Sequence, residues 1–163
     1  MLIKDLQNTF FKPGTVAAIS IRPQRTIPVI KLDAVKAIEN KGLEGDRSMG
    51  GSRQVTLIQK EHMATVASFL GKQEVDYTLT RRNILVEGIN LLALKDKQFQ
   101  LGEAILEYSG ECHPCSRMEE ALGTGGYNAM RGHGGITAKI IRGGLIRKND
   151  AILVLDSILW IVN

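Results

Sequence analysis

Two cysteines three positions apart, Cys112 and Cys115, carry the sharpest chemical signal in the chain. They lie in the run Glu111-Cys112-His113-Pro114-Cys115-Ser116-Arg117-Met118. Ser116 and Glu119 have the S-x-x-E spacing of a capping box, which predicts a short helix over Ser116–Leu122 closed by Gly123. Cys115 then sits just before that helix, where unpaired N–H groups and the positive end of the helix dipole favour a thiolate. Arg117 and His113 add positive charge nearby. A thiolate serves as a nucleophile or as a soft metal ligand.

Beside the burial of both cysteines as small core residues, three readings of the pair stand open. A structural zinc site needs four ligands, and His62, His113 and His133 show no finger spacing, so this reading is weak. A thioredoxin-like redox pair fits C-x-x-C but places its first cysteine at the helix start. Here the capping box places the second one there. The third reading is a single thiolate ligand to a cofactor metal, with Cys112 as an accessory. His133, in Arg131-Gly132-His133-Gly134-Gly135, reads as a loop histidine, though either it or His113 can supply a proton.

The arginines are the second signal. Arg47, Arg53, Arg81, Arg82, Arg117 and Arg131 lie near glycines, turns or strand ends. Guanidinium forks suit phosphate and planar heterocycles. With 21 Lys and Arg against 17 Asp and Glu, the net charge of +4 favours anionic partners in a mild way. Nucleic acid is not expected, because the basic residues do not cluster strongly and the few aromatics are scattered.

The elements that must position these residues are mostly strands. Seventeen glycines punctuate short stretches rich in Val, Ile and Leu. Strands are predicted over Thr15–Arg22, Arg53–Gln59, Tyr77–Val86, Phe99–Leu101, Ala104–Tyr108, Ile136–Ile141 and Ala151–Leu155. A helix is predicted over Glu61–Leu70, where Met63, Val66, Ala67 and Leu70 share one face. Asp33–Asn40 has a helical composition among strand-like neighbours. The expectation is one mainly β domain over residues 1–163 with a few short helices, its strands closed into a barrel. The longest apolar runs are five residues, so no membrane span is expected. Lys4, Asp5 and Lys12 interrupt the N-terminal apolar residues, so a secretory signal is not expected and a reducing cytoplasm is.

An ordered set of motifs then lines up. It runs from Gly42-Leu43-Glu44-Gly45-Asp46-Arg47 through Arg53-Gln54-Val55-Thr56-Leu57-Ile58 to Arg81-Arg82-Asn83-Ile84-Leu85-Val86. Leu101-Gly102, Cys112–Cys115, Gly143-Gly144-Leu145-Ile146 and Asn149-Asp150 follow. This set resembles the MOSC domain, named after the C-terminal domain of molybdenum cofactor sulfurases, over about residues 13–155. The resemblance implies a MOSC-type β-barrel and binding of the molybdenum cofactor, a metal on a pterin dithiolene bearing a phosphate. By motif position it implies that Cys115 is the family cysteine, which ligates molybdenum or carries sulfur. It assigns the R-x-N cofactor motif to Arg81 and Asn83, and basic cofactor positions to Arg47 and Arg53; Arg117 joins them by its place beside Cys115. The amidoxime-reducing members imply reduction of N-hydroxylated compounds, with an electron-transfer partner. The alternatives are a persulfide carrier, working with a sulfurtransferase, or a thiol redox or non-catalytic binding module. Where the family has Gly-Asp before the last strand, this chain has Asn149-Asp150, which keeps the turn. The larger relatives' N-terminal β-barrel module and pyridoxal-phosphate domain are not matched, so sulfur mobilisation from cysteine is not expected of this chain. The apolar tail Ile158-Leu159-Trp160-Ile161-Val162 is expected to dock on the barrel or form a homodimer contact.

Overall fold

The computed structural model describes residues 1–159. Helix α1 (Ile3–Gln7) and strand β1 (Thr9–Phe10) lead into β2 (Gly14–Ile21), followed by β3 (Ile30–Leu32), β4 (Ala34–Ile38) and β5 (Gly42–Leu43). Strand β6 (Val55–Gln59) runs straight into α2 (Lys60–Phe69), and a 3₁₀ turn at Tyr77–Thr80 precedes β7 (Ile84–Glu87). Then come β8 (Gln98–Leu101), β9 (Ala104–Glu111), α3 (Ser116–Leu122) and α4 (Gly126–Met130). The described chain ends with β10 (Ile136–Arg142), β11 (Gly144–Arg147), β12 (Ala151–Val154) and β13 (Ile158–Leu159).

Seven strands close a barrel in the order β12-β8-β9-β10-β6-β7-β2, with β2 pairing back to β12. Every neighbour in the ring is antiparallel except β6 and β7. Parallel neighbours need a long crossover, and α2 with the segment after it provides one. Strand β3 extends β2 outside the ring, while β11, β4 and β5 form a small separate sheet. Strand β13 pairs in parallel with β1. The tail beyond Leu159, including Trp160–Val162, lies outside the described residues.

Side-chain alternation on β6 shows how the two cores divide. Val55 and Leu57 join Val16, Ile84, Phe99, Leu106 and Ile136 inside the barrel. Ile58, one residue on, faces the other way into a second cluster with Met63, Val66, Met118, Leu122 and Met130 from the helices. All five residues of β6 are therefore buried, as expected for a strand covered on both faces.

Most sequence expectations hold within a residue or two. Asp33–Asn40 resolves as a strand, Ala34–Ile38. The predicted strand Tyr77–Val86 is a correction: it begins only at Ile84. Its first four residues are a 3₁₀ turn, because the Asp76 carboxylate accepts the Thr78 N–H at 3.0 Å and the Thr80 hydroxyl donates to the Tyr77 carbonyl. These local bonds outweigh the β propensity of Tyr and Thr.

Candidate functional site

The polar residues of the site come from strand ends. Arg22 follows β2, Arg82 and Asn83 precede β7, and Cys112 follows β9. A buried polar knot ties Arg22 to Asn83 through Asp46. Asp46 Oδ1 accepts from the Arg22 N–H at 2.6 Å, from Arg22 Nε at 3.2 Å and from Asn83 Nδ2 at 3.0 Å. Its Oδ2 accepts from Arg22 Nη2 at 2.9 Å and from the Ser48 N–H at 3.0 Å. Burial alone would raise the Asp46 carboxyl, but the Arg22 hydrogen bonds and charge, with the Ser48 N–H, hold it below the ordinary value.

Asn83 is fully buried, and its amide is saturated. Its oxygen accepts from the Thr56 N–H and hydroxyl, and its nitrogen donates to the Ser20 carbonyl and to Asp46. No hydrogen-bonding group of that amide is left for a ligand. In this geometry Asn83 positions Asp46, and through it Arg22.

Arg81 stands at a left-handed φ of 58° and donates to the carbonyls of Ile27 at 2.6 Å and Gln24 at 2.9 Å. Its guanidinium is held below its usual value, first by partial burial and then by the charges of Arg22, Arg47 and Arg117. Four cations from four segments thus share one field, with Asp46 as the internal counter-charge. Arg47 and Arg117 are exposed. Among the described residues only Arg22 of the four is ion-paired.

Arg82 is buried and works as a clamp. Its Nε donates to the Gly134 carbonyl at 2.9 Å, Nη1 to Thr80 at 2.8 Å and Nη2 to Cys112 at 3.4 Å. Burial lowers its pKa; Arg22 and Arg53 push the same way, while Cys112 and Cys115 push back. Cys112 is buried, its N–H donates to the Gly135 carbonyl at 2.8 Å, and Arg53 Nη2 lies 3.6 Å from its sulfur. The Gly134-Gly135 pair makes this close approach possible. A Cβ on Gly134 would strike the Cys112 carbonyl, and one on Gly135, at φ +86°, the Leu57 carbonyl.

Both cysteines are free, and Cys115 is exposed. Cys115 is itself the N-cap of α3, one step closer to the helix than expected. The expected capping box does not form. The Glu119 carboxylate instead accepts the N–H groups of Tyr127 at 3.0 Å and Gly125 at 2.9 Å, stitching α3 to α4. The two proton candidates separate. His113 is exposed on the cysteine loop, whereas His133 turns to α2 and meets His62 edge-on at 4.8 Å.

Sequence reasoning passed over Arg22 and Asp46 as site elements. Their only local signal was an arginine at the end of a strand before Pro23, and an aspartate in a glycine turn. Their partnership spans 24 positions and becomes visible only in the fold.

A family model described as MOSC domain matches residues 44–153, which include Asp46, Arg53, Arg81–Asn83 and Cys112–Arg117. The chain belongs to the MOSC family. This family is associated with molybdenum cofactor binding and sulfurase-like function. Solved MOSC-type structures share the fold. The YuaD protein from Bacillus subtilis superposes with a TM-score of 0.75 at 19% identity, covering 88% of this chain and 96% of that one. YiiM from Geobacillus stearothermophilus gives 0.72 at 15% identity, covering 88% and 76%. YiiM from Escherichia coli gives 0.67 at 19%, covering 88% and 71%. At these identities the likeness is one of fold. No curated protein matches the chain significantly. Among the described residues, no helix of this MOSC chain is long and apolar enough to cross a membrane.

Proposed function

We propose that this MOSC domain holds the molybdenum cofactor, with Cys115 as the thiolate ligand to the metal, and that it reduces N-hydroxylated compounds. The observation that carries the reading is the gathering of arginines around the cysteine loop. Arg81 is held below its usual value first by partial burial and then by the charges of Arg22, Arg47 and Arg117, with the buried Asp46 carboxylate opposing. Arg82 and Arg53 reach Cys112 directly, at its carbonyl and its sulfur. Such a field is relieved by an anion, and guanidinium forks match a phosphate.

The donor set fits the group. Among the described residues no three His, Cys, Asp or Glu cluster to hold a bare metal ion. One exposed soft thiol suits a metal that arrives already chelated by sulfur. Bound there, the cofactor would supply two-electron redox chemistry. The chain's own residues do the rest. Arg47, Arg81 and Arg117 bind the phosphate and pterin edge. Arg82 and Asn83 hold the loop and the Asp46–Arg22 pair in place. The exposed His113 donates a proton to the departing hydroxyl. Reduction of an N–OH group consumes two electrons and two protons and releases water, so a reducing partner protein supplies the electrons. In this reading the chain works in the cytoplasm, where thiols stay reduced.

Metal and pterin analysis of protein from a cofactor-competent host tests this. Near-stoichiometric molybdenum is expected, lost in Cys115→Ala and reduced in Arg81→Ala. An absence of molybdenum from the wild type would overturn the reading. It would leave the carrier alternative, in which Cys115 holds a sulfane sulfur released by mild reduction.

A further inference from the structure

A cavity of about 570 Å³ opens beside the cysteine loop, lined by His113, Pro114, Tyr127, Arg131 and Gly132. None of Arg22, Arg47, Arg53, Arg81 or Arg117 belongs to it. We propose that this cavity is the substrate subsite and that it takes a planar ring bearing a carboxylate; the substrate role rests on the reading of Cys115 as the reactive centre.

Pro114, the chain neighbour of Cys115, forms part of the wall, so the cavity borders the cysteine loop, although Cys115 itself does not line it. The volume is that of an ordinary small-molecule site and admits one ring with its substituents. The charge selects the ligand. Arg131 and His113 line the cavity and no carboxylate does. Arg131 has no side-chain hydrogen bond or ion pair among the described residues, so its fork is free for a ligand carboxylate.

The Glu119 carboxylate on α3 is engaged through both its oxygens by the Gly125 and Tyr127 N–H groups. Those bonds hold its pKa below the ordinary value, so the anion stays fixed on the backbone of α4. They also anchor Tyr127, whose side chain remains substantially exposed and offers a flat face for stacking. The wall is rigid for a local reason. A Cβ at Gly126 would meet the Met118 carbonyl at 2.6 Å, so α4 lies directly on α3.

Titration of the full-length protein with benzoate, benzamide and benzamidine, followed by amide NMR shifts, tests the assignment. Benzoate should shift Tyr127 and Arg131 and bind about tenfold tighter than benzamidine. Arg131→Ala should cost benzoate about tenfold and leave benzamide unchanged, whereas Tyr127→Leu should weaken both. Arg81→Ala should leave benzoate binding intact. Equal affinity for the three ligands, no benzoate binding, or benzoate binding that follows Arg81 instead of Arg131 would overturn the proposal. The readout needs no molybdenum. Protein that binds benzoate at Arg131 but never loads metal would sink the cofactor reading and keep the anion site, and loaded protein indifferent to benzoate would do the reverse.

Discussion

Asp46 governs the arginine side of the site from a fully buried position. Its removal leaves Arg22, with only 10% of its side chain exposed, without a counter-charge. Breaking a buried pair of this kind costs about 3–5 kcal/mol. Asp46→Asn should therefore lower the unfolding free energy, measured by urea denaturation at neutral pH, by an amount in that range. The pH dependence has a definite sign. The folded carboxyl lies below its ordinary value near 3.8, so its stabilisation is complete above that pH and lost as pH falls through the folded value. Urea midpoints between about pH 2 and 6 should drop steeply below pH 4 in the wild type and less steeply in Asp46→Asn. Parallel curves would show that Asp46 is not the titrating group. The same residue scale marks the boundary of legibility. The place of Cys115 at the start of α3 was readable because helix-start signals are local in sequence, although the Ser116–Glu119 box itself does not form. The role of Asn83 was not, because whether its amide meets a ligand or Thr56, Ser20 and Asp46 depends on which way the strand edge faces.

At the scale of elements, the segment from Arg131 to Ile136 controls the cysteine loop. Its glycines let backbone meet backbone. Gly134→Ala or Gly135→Ala should each cost about 1–3 kcal/mol, since neither the Cys112 nor the Leu57 carbonyl can move freely. Cys112, only 3% exposed, should then react faster with a thiol reagent under native conditions. Unchanged reactivity would mean that the loop is not held by these contacts. The segment also docks on α2 through His133 and His62. Burial first, then the facing His133, lowers the His62 pKa from 6.5, while Glu61 opposes the shift. The neutral form therefore belongs to the folded state. Its stabilisation is complete above about pH 6.5 and declines as pH falls towards the folded value. Denaturation at pH 7.5 and 5.5 should show a smaller loss for His62→Gln than for the wild type. The β9–β10 pairing slips between Thr137 and Ala138, a bulge that redirects β9 just before Cys112. Periodicity over Ala104–Tyr108 identified that strand but carries no trace of the slip.

At the scale of the molecule, closure of the ring is what gives these loops a common frame. Leu57 is fully buried inside the barrel on β6, a strand covered from both sides. Leu57→Ala should cost about 2–5 kcal/mol in urea unfolding followed by circular dichroism. A loss under 1 kcal/mol would mean that the barrel interior refills the space.

The sequence by itself determined the inventory: short β segments, the helices after Gln59 and Cys115, the turns at Gly102 and Asn149, and the ordered motifs of a MOSC barrel. These are local quantities, set by side-chain periodicity, capping and turn chemistry within a few residues. Only the tertiary structure decided which arginines converge. It paired Arg22 with Asp46, turned Asn83 into the wall, sent Arg82 across to Gly134 and Cys112, and separated His113 from His133. Strand register and bulges choose the face on which each side chain emerges, and a slip of one residue reverses it. That choice is made by partners 24 to 63 positions away, where no local pattern reaches.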